Sequence, residues 1–191
     1  VGLPMGLIVC EVDVGSTVLI GGTAMCMLFV AGSPWKFIGG LMTLGIGAVG
    51  LAISMMPGRL GRFLAFMNPE KYPADAYQTQ QGLIALGSGG ISGLGLGNGR
   101  QKLLYLPYAH TDFIFPMVGE ELGLIGTLGV ILAYILFMLG GVSIAMKARD
   151  RAGLLAGMGI VMLISMQALV NLGVTTELLP NKGLPLPFIS Y

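Results

Sequence analysis

Charge is what this sequence has least of. Only 10% of its 191 residues are Asp, Glu, Lys or Arg, against roughly 25% in soluble domains, which excludes a chain surrounded by water on every side. The few charges nearly cancel, with 10 Lys and Arg against 9 Asp and Glu, so there is no clustered basic surface for nucleic acid. Cysteine is scarce too. Cys10 and Cys26 lack CxxC or zinc-ligand spacing and read as apolar packing residues. No charged stretch precedes Val1, so no signal peptide is read. A start without Met and an end at PFISY lead to the expectation of an internal piece of a longer polytopic protein.

What fills the sequence instead is apolar. Hydrophobic residues make up 54% and the mean hydropathy is +0.84. Residues 14–35, 37–58, 122–146 and 152–176 contain no Asp, Glu, Lys, Arg or His. A bilayer core of about 30 Å needs around 20 mostly apolar residues in a helix, and all four runs are long enough. The alternative, buried helices of a large soluble core, requires several helices with almost no polar face. The 32 glycines and 13 methionines suit close helix packing in lipid. The expected fold is therefore an all-α, polytopic membrane helix bundle. Four full spans are placed at about 14–35, 37–58, 113–146 and 152–176, in one transmembrane domain, with a truncated final span from about 184.

Residues 76–99 are also free of charge, but their second half, GSGGISGLGLGNG, is dense in glycine, and Gln78, Gln80 and Gln81 interrupt the first half. Glycine costs about 1 kcal/mol per residue in a helix relative to Ala, so residues 57–112 are read as a large extracytoplasmic region, with Leu83 to Leu86 as a short apolar anchor. Orientation follows from the loop KARDRAG, which crowds Lys147, Arg149 and Arg151; short basic loops face the cytoplasm. Counting outwards puts Glu11, Asp13, His110, Asp112, Glu177 and Lys182 on the opposite, outer side. Ionisable groups at span ends inside a bundle are functional candidates, whereas snorkelling and helix capping are the plainer explanations for each one alone.

Asp112 stands directly before an apolar run, in LPYAHTDFIF. It can cap the helix and favour its dipole, or serve as a carboxylate at the water–lipid boundary that accepts a proton from a hydroxyl. His110 either tunes it or is a solvated loop residue. Glu120 and Glu121 lie deeper, and a charge there is costly unless paired or facing a wet cavity, so at least one is expected to face a cavity. GLGLGNGRQK fits neither GxGxxG nor GK[ST]. A weaker reading survives, in which its backbone amides with Arg100 and Lys102 hold a diphosphate; a mobile solvated loop is the alternative. The proline-rich LLPNKGLPLPFIS is tolerated beside a bundle where it is buried in protein or lines a cavity, and it carries Lys182.

Two long stretches, GLIALGSGGISGLGLGNGRQKLLYLPYAHTDFIFPMVGEELGLIG and QALVNLGVTTELLPNKGLPLPFISY, resemble the SEDS family (shape, elongation, division and sporulation), its cell-division branch more than its elongation branch. EVDVGST resembles the family's QPDxGT. The resemblance implies a ten-helix peptidoglycan glycosyltransferase of the bacterial inner membrane. Its substrate would be lipid II, the undecaprenyl-diphosphate-linked disaccharide-pentapeptide, polymerised on the extracytoplasmic side. It also implies that Asp112 is the catalytic residue and that Lys182 is functionally important. Implied partners are a class B penicillin-binding transpeptidase, other division proteins and membrane lipids. Four departures from the family pattern occur: Tyr108 stands for Glu, Glu177 for Gly, Asn181 for Thr, and the tripeptide Glu11-Val12-Asp13 for QPD.

The chemistry needed is attack of a sugar 4-hydroxyl on an anomeric carbon that carries a lipid diphosphate. A positioned carboxylate base supplies about 10²–10⁴-fold. The departing diphosphate calls for fixed cations or a divalent metal such as Mg2+ or Mn2+, and the sequence names no metal ligands and no certain cofactor. The candidate site is Asp112 as base, with Lys182, Arg100, Lys102, His110, Glu121 and Gln81 as substrate contacts. Two rival readings stand beside it: a transporter of the lipid-linked precursor, using the same polar residues and relying on Glu120 or Glu121, and a non-catalytic division scaffold that works through its helix surfaces.

Overall fold

The computed structural model describes residues 14–54, 57–101 and 111–190. These form six helices and no strand among the described residues, in the order α1 (Val14–Val30), α2 (Trp35–Ser54), α3 (Pro57–Met67), α4 (Pro73–Ser88), α5 (Ile114–Ala145) and α6 (Arg151–Thr175). The all-helical expectation holds. Helices α5 and α6 are each long and apolar enough to cross a membrane, and α1 and α2 are shorter apolar helices. Much of the surface of α5 and α6 is bare hydrocarbon, with Ile125, Leu128, Leu132, Leu136, Ile144 and Leu169 exposed; that is costly in water and neutral in lipid.

The chain divides into two compact units, Val1–Pro57 with Leu136–Met166, and Gly58–Ile135 with Gln167–Tyr191. In the first, α1 ends in a Schellman-type turn. The Ser33 N–H donates to Leu28 O at 3.0 Å and the Gly32 N–H to Phe29 O at 3.0 Å, with Gly32 at φ +83°. Pro34 stops the helix and α2 begins one residue later, the Phe29 and Trp35 rings meeting edge to face at 6.3 Å. Small residues set the close contacts, Gly22 against Met166, Gly159 against Met27 and Gly141 against Val161.

The second unit holds the candidate residues. Helix α4 starts on Pro73 at its first turn with Asp75 beside the positive helix end, and it buries Ala76, Thr79, Gly82 and Ala85. It ends where glycine becomes dense, so residues 73–88 are helix where the sequence promised only a short anchor. Two apolar clusters form the core, Phe113–Met117–Val174 and Phe115–Ala168–Leu186.

Helix α5 is broken at Gly123, whose φ of 67° and ψ of −162° are not helical. A break orphans amides and carbonyls on both sides, and the glycine-rich segment after α4 supplies their partners. Leu94 N–H donates to Glu120 O at 2.9 Å and Gly95 N–H to Glu121 O at 3.0 Å; in return Leu124 N–H donates to Gly90 O at 2.9 Å and Ile125 N–H to Ile91 O at 3.3 Å. The backbones approach so closely that a Cβ on Gly93 would lie 2.1 Å from Glu121 O, and one on Gly123 would lie 2.4 Å from Gly93 N. The glycine segment is stitched into the helix.

Candidate functional site

Thr111 to Phe113 form a turn into α5, with Phe113 wholly buried. That anchor fixes Asp112 two residues before the first residue of the hydrocarbon-rich helix. Its side chain is half-buried, and burial raises the carboxyl above its ordinary value of 3.8, because a charged carboxylate loses hydration there. The carboxylate turns to a different segment of chain: a Cβ on Gly183 would lie 2.6 Å from Asp112 Oδ2. Only a residue without a side chain leaves that space, and the residue before it is Lys182.

The segment that carries Lys182 is irregular from residue 180 to 186, and an irregular, proline-rich backbone does not satisfy its own carbonyls. Side chains do so instead. Asn171 Nδ2 donates to Leu184 O at 2.6 Å and Gln167 Nε2 to Pro185 O at 2.9 Å, both from α6, while Tyr134 on α5 donates its hydroxyl to Pro187 O. The Ser190 hydroxyl accepts from Leu186 N–H at 2.8 Å and donates to Thr111 O. Asn171 Nδ2 also donates to Asp112 O at 2.8 Å. Farther along, Asn181 Nδ2 donates to Gln78 Oε1 at 3.1 Å. Arg62, Asp75, Thr79, Glu177 and Asn181 line a small cavity of about 40 Å³, room for a water molecule or so. Leu184 and Leu186 are buried, and residues 187–189 form a turn, so the described residues from 184 onward do not begin a helix.

The sequence-derived candidates thus fall into two groups. Asp112 packs on Gly183 and is tied to that segment through Asn171, and the residue before Gly183, Lys182, is half-buried. The second group centres on Glu120, which is 2% exposed. Its Oε1 accepts from Arg100 N–H at 2.7 Å and Gln101 N–H at 3.2 Å. Glu121 Oε1 would lie 3.1 Å from a Cβ on Gly99. One expectation is corrected here: the glycine-segment amides expected to cradle a diphosphate at Leu94, Gly95, Arg100 and Gln101 are spent on Glu120 and Glu121. Of the two glutamates, Glu120 meets backbone N–H groups. The Arg100 side chain is exposed and Gln81 is half-buried on α4; Lys102 and His110 lie outside the described residues, as do Glu11 and Asp13. Among the described residues no three His, Cys, Asp or Glu side chains gather to hold a metal ion.

Sequence reasoning passed over Asn171, Gln167 and Tyr134. A signal was present: Gln167 and Asn171 are four residues apart in an apolar run, which places both amides on one helix face.

A family model described as cell cycle protein, covering FtsW, RodA and SpoVE, matches residues 1–191. The chain is 44% identical over 188 residues to a probable peptidoglycan glycosyltransferase FtsW of Geobacter metallireducens, covering 98% of this chain and 50% of that protein. It is 44% identical over 190 residues to the namesake in Legionella pneumophila, with 97% and 48% covered. Stage V sporulation protein E of Bacillus subtilis is 40% identical over 187 residues, with 97% and 51% covered. A solved structure of a peptidoglycan synthase complex, described as coordinating polymerization and crosslinking, superposes with a TM-score of 0.74 at 26% identity, over 98% of this chain and 52% of that one. The chain spans about half the length of the curated relatives it matches.

Proposed function

The chain belongs to the FtsW/RodA/SpoVE family of cell cycle proteins, and from that premise we propose that the full protein is a peptidoglycan glycosyltransferase of cell division. Its apolar helices and its relatives make it an integral membrane protein. In this reading α1, α2, α5 and α6 are its four spans, and lipid II is polymerised at the outer face of the bacterial cytoplasmic membrane. The side is supported by the loop with Lys147, Arg149 and Arg151, which follows the last residue of α5 while Asp112 precedes the first. The synthase complex it resembles, described as coordinating polymerization and crosslinking, supports a crosslinking partner in general; the partner in this proposal is a transpeptidase of the class B penicillin-binding type.

The observation that carries the reading is the Asp112 carboxylate, half-buried and packed onto Gly183 beside Lys182. Asp112 takes the proton of the acceptor sugar's 4-hydroxyl as that oxygen bonds to the anomeric carbon. The bond from this carbon to the diphosphate oxygen breaks, and the lipid diphosphate leaves with the electron pair. One displacement inverts the anomeric centre, which requires the base on the face opposite the leaving group. A carboxyl raised by burial is a stronger base at neutral pH than an ordinary aspartate. Lys182, Arg100 and Lys102 supply positive charge to the diphosphate, and His110, Glu121 and Gln81 contact the substrate. A Mg2+ or Mn2+ ion would be held chiefly by the substrate phosphates and would neutralise diphosphate charge, leaving Asp112 as the base.

The transporter alternative leaned on Glu120 or Glu121 meeting cargo within the membrane. Glu120 is buried and bonded to two backbone amides, which weighs against that use. Polymerisation of labelled lipid II by the full-length protein with its partner transpeptidase decides. Asp112→Asn is expected to lower the rate by about 10²–10⁴-fold. An unchanged rate and product length would remove Asp112 from catalysis.

A further inference from the structure

Asn171 is 1% exposed and sits in the last turns of an apolar helix. Its Nδ2 reaches two backbone carbonyls from different parts of the chain, Asp112 O at 2.8 Å and Leu184 O at 2.6 Å. Its Oδ1 is buried with no hydrogen-bond partner. As a packing residue this is a poor choice, because an orphaned buried acceptor costs free energy that a leucine of similar volume avoids. The arrangement makes sense as a clamp. One amide nitrogen sets the spacing between the turn that carries Asp112 and the segment that carries Lys182 and Gly183, at the point where the carboxylate packs on Gly183. Gln167 and Tyr134 bind the same proline-rich segment at Pro185 O and Pro187 O, but of the three only Asn171 also holds Asp112.

We infer that Asn171 is a positioning residue for glycosyl transfer, one that fixes the Asp112 carboxylate against the Lys182–Gly183 backbone without touching substrate. The inference rests on the glycosyltransferase reading above. A general base works only within hydrogen-bond reach of its proton, and a misplacement of about 1 Å can cost 10²-fold. Loss of the clamp therefore slows the reaction more than it weakens substrate binding.

The experiment uses the full-length protein with its partner transpeptidase and labelled lipid II, comparing Asn171→Leu, Gln167→Leu and Asp112→Asn. Thermal unfolding in detergent and the Kd for lipid II are measured on each, together with the single-turnover rate. Asn171→Leu is expected to unfold within a few degrees of the parent and to keep its Kd within about threefold, while its rate falls about 100-fold. Gln167→Leu, which removes a comparable bond to the same segment, is expected to slow the rate less than tenfold. A rate for Asn171→Leu within threefold of the parent overturns the inference. So does an equal loss in both leucine variants, or a Kd that weakens in step with the rate, since each marks a structural role shared by the whole segment. If Asp112→Asn retains full activity, the glycosyltransferase assignment of Asp112 is what has failed, and the two failures are told apart.

Discussion

Two acids near the start of α5 lead opposite lives. Glu120 is almost wholly buried and meets two backbone N–H groups from the glycine segment, so its carboxyl group is spent on holding that segment to the broken helix. Asp112 is only half-buried, yet burial raises its carboxyl, and its side chain rests against a glycine. The difference lies in what satisfies each neighbourhood. Around Glu120 the backbone bonds to itself in a reciprocal stitch, and the carboxylate is one more fastening. Around Asp112 the backbone is held by borrowed amides and hydroxyls and not by the carboxylate. A buried acid with its hydrogen bonds met is structural; a half-buried acid made more basic by its surroundings is suited to chemistry.

The largest effect that separates the two regions is expected from Gly123→Ala. The new methyl would meet Gly93 N at 2.4 Å and Ile91 O at 2.5 Å, at a φ of 67°. Strain and overlap together should cost about 3 kcal/mol or more. The readout is thermal unfolding of the detergent-solubilised protein, and a shift of only a degree or two would show that the stitch gives way freely.

Gly183→Ala probes the other region and should act on rate rather than on folding. Its methyl would come 2.6 Å from Asp112 Oδ2, and one carboxylate can swing aside at small cost to stability. Displacing the base by about 1 Å is expected to lower lipid II polymerisation about 100-fold, with unfolding nearly unchanged. Full activity in this variant would mean that the contact at Gly183 does not set the working position of Asp112.

The helical framework was legible because charge-free runs of the right length leave few alternatives. Asp112 stands out as a candidate in the sequence too, as a carboxylate at the edge of such a run and within a specific motif. The stitch was not. GSGGISGLGLGNG shows that side chains are missing, but it does not show which backbone comes close, and a mobile loop has the same composition. The break at Gly123 is hidden for the same reason, since a glycine in an apolar run is ordinary in membrane helices. Asn171 and Gln167 were overlooked because a run free of charge was treated as a run free of polar work. Their four-residue spacing was the available clue.

The subtlest contrast is in pH, where stability and activity should respond to Asp112 in opposite senses. Its folded carboxyl titrates above 3.8, so the fold favours the protonated form. That contribution to stability is fully present below the ordinary aspartate value and is lost as pH rises through the raised one. Activity needs the carboxylate and therefore rises over the same interval, as a single-proton acid limb displaced upward from 3.8. Polymerisation rate and unfolding temperature measured together across that interval should cross. In Asp112→Asn the crossing should vanish, the residual rate losing this limb and the unfolding temperature losing the corresponding fall. Glu120 offers the comparison, because Glu120→Gln leaves Asp112 to titrate and the limb should stay. A limb that survives in Asp112→Asn would belong to another group, and the base would have to be sought elsewhere.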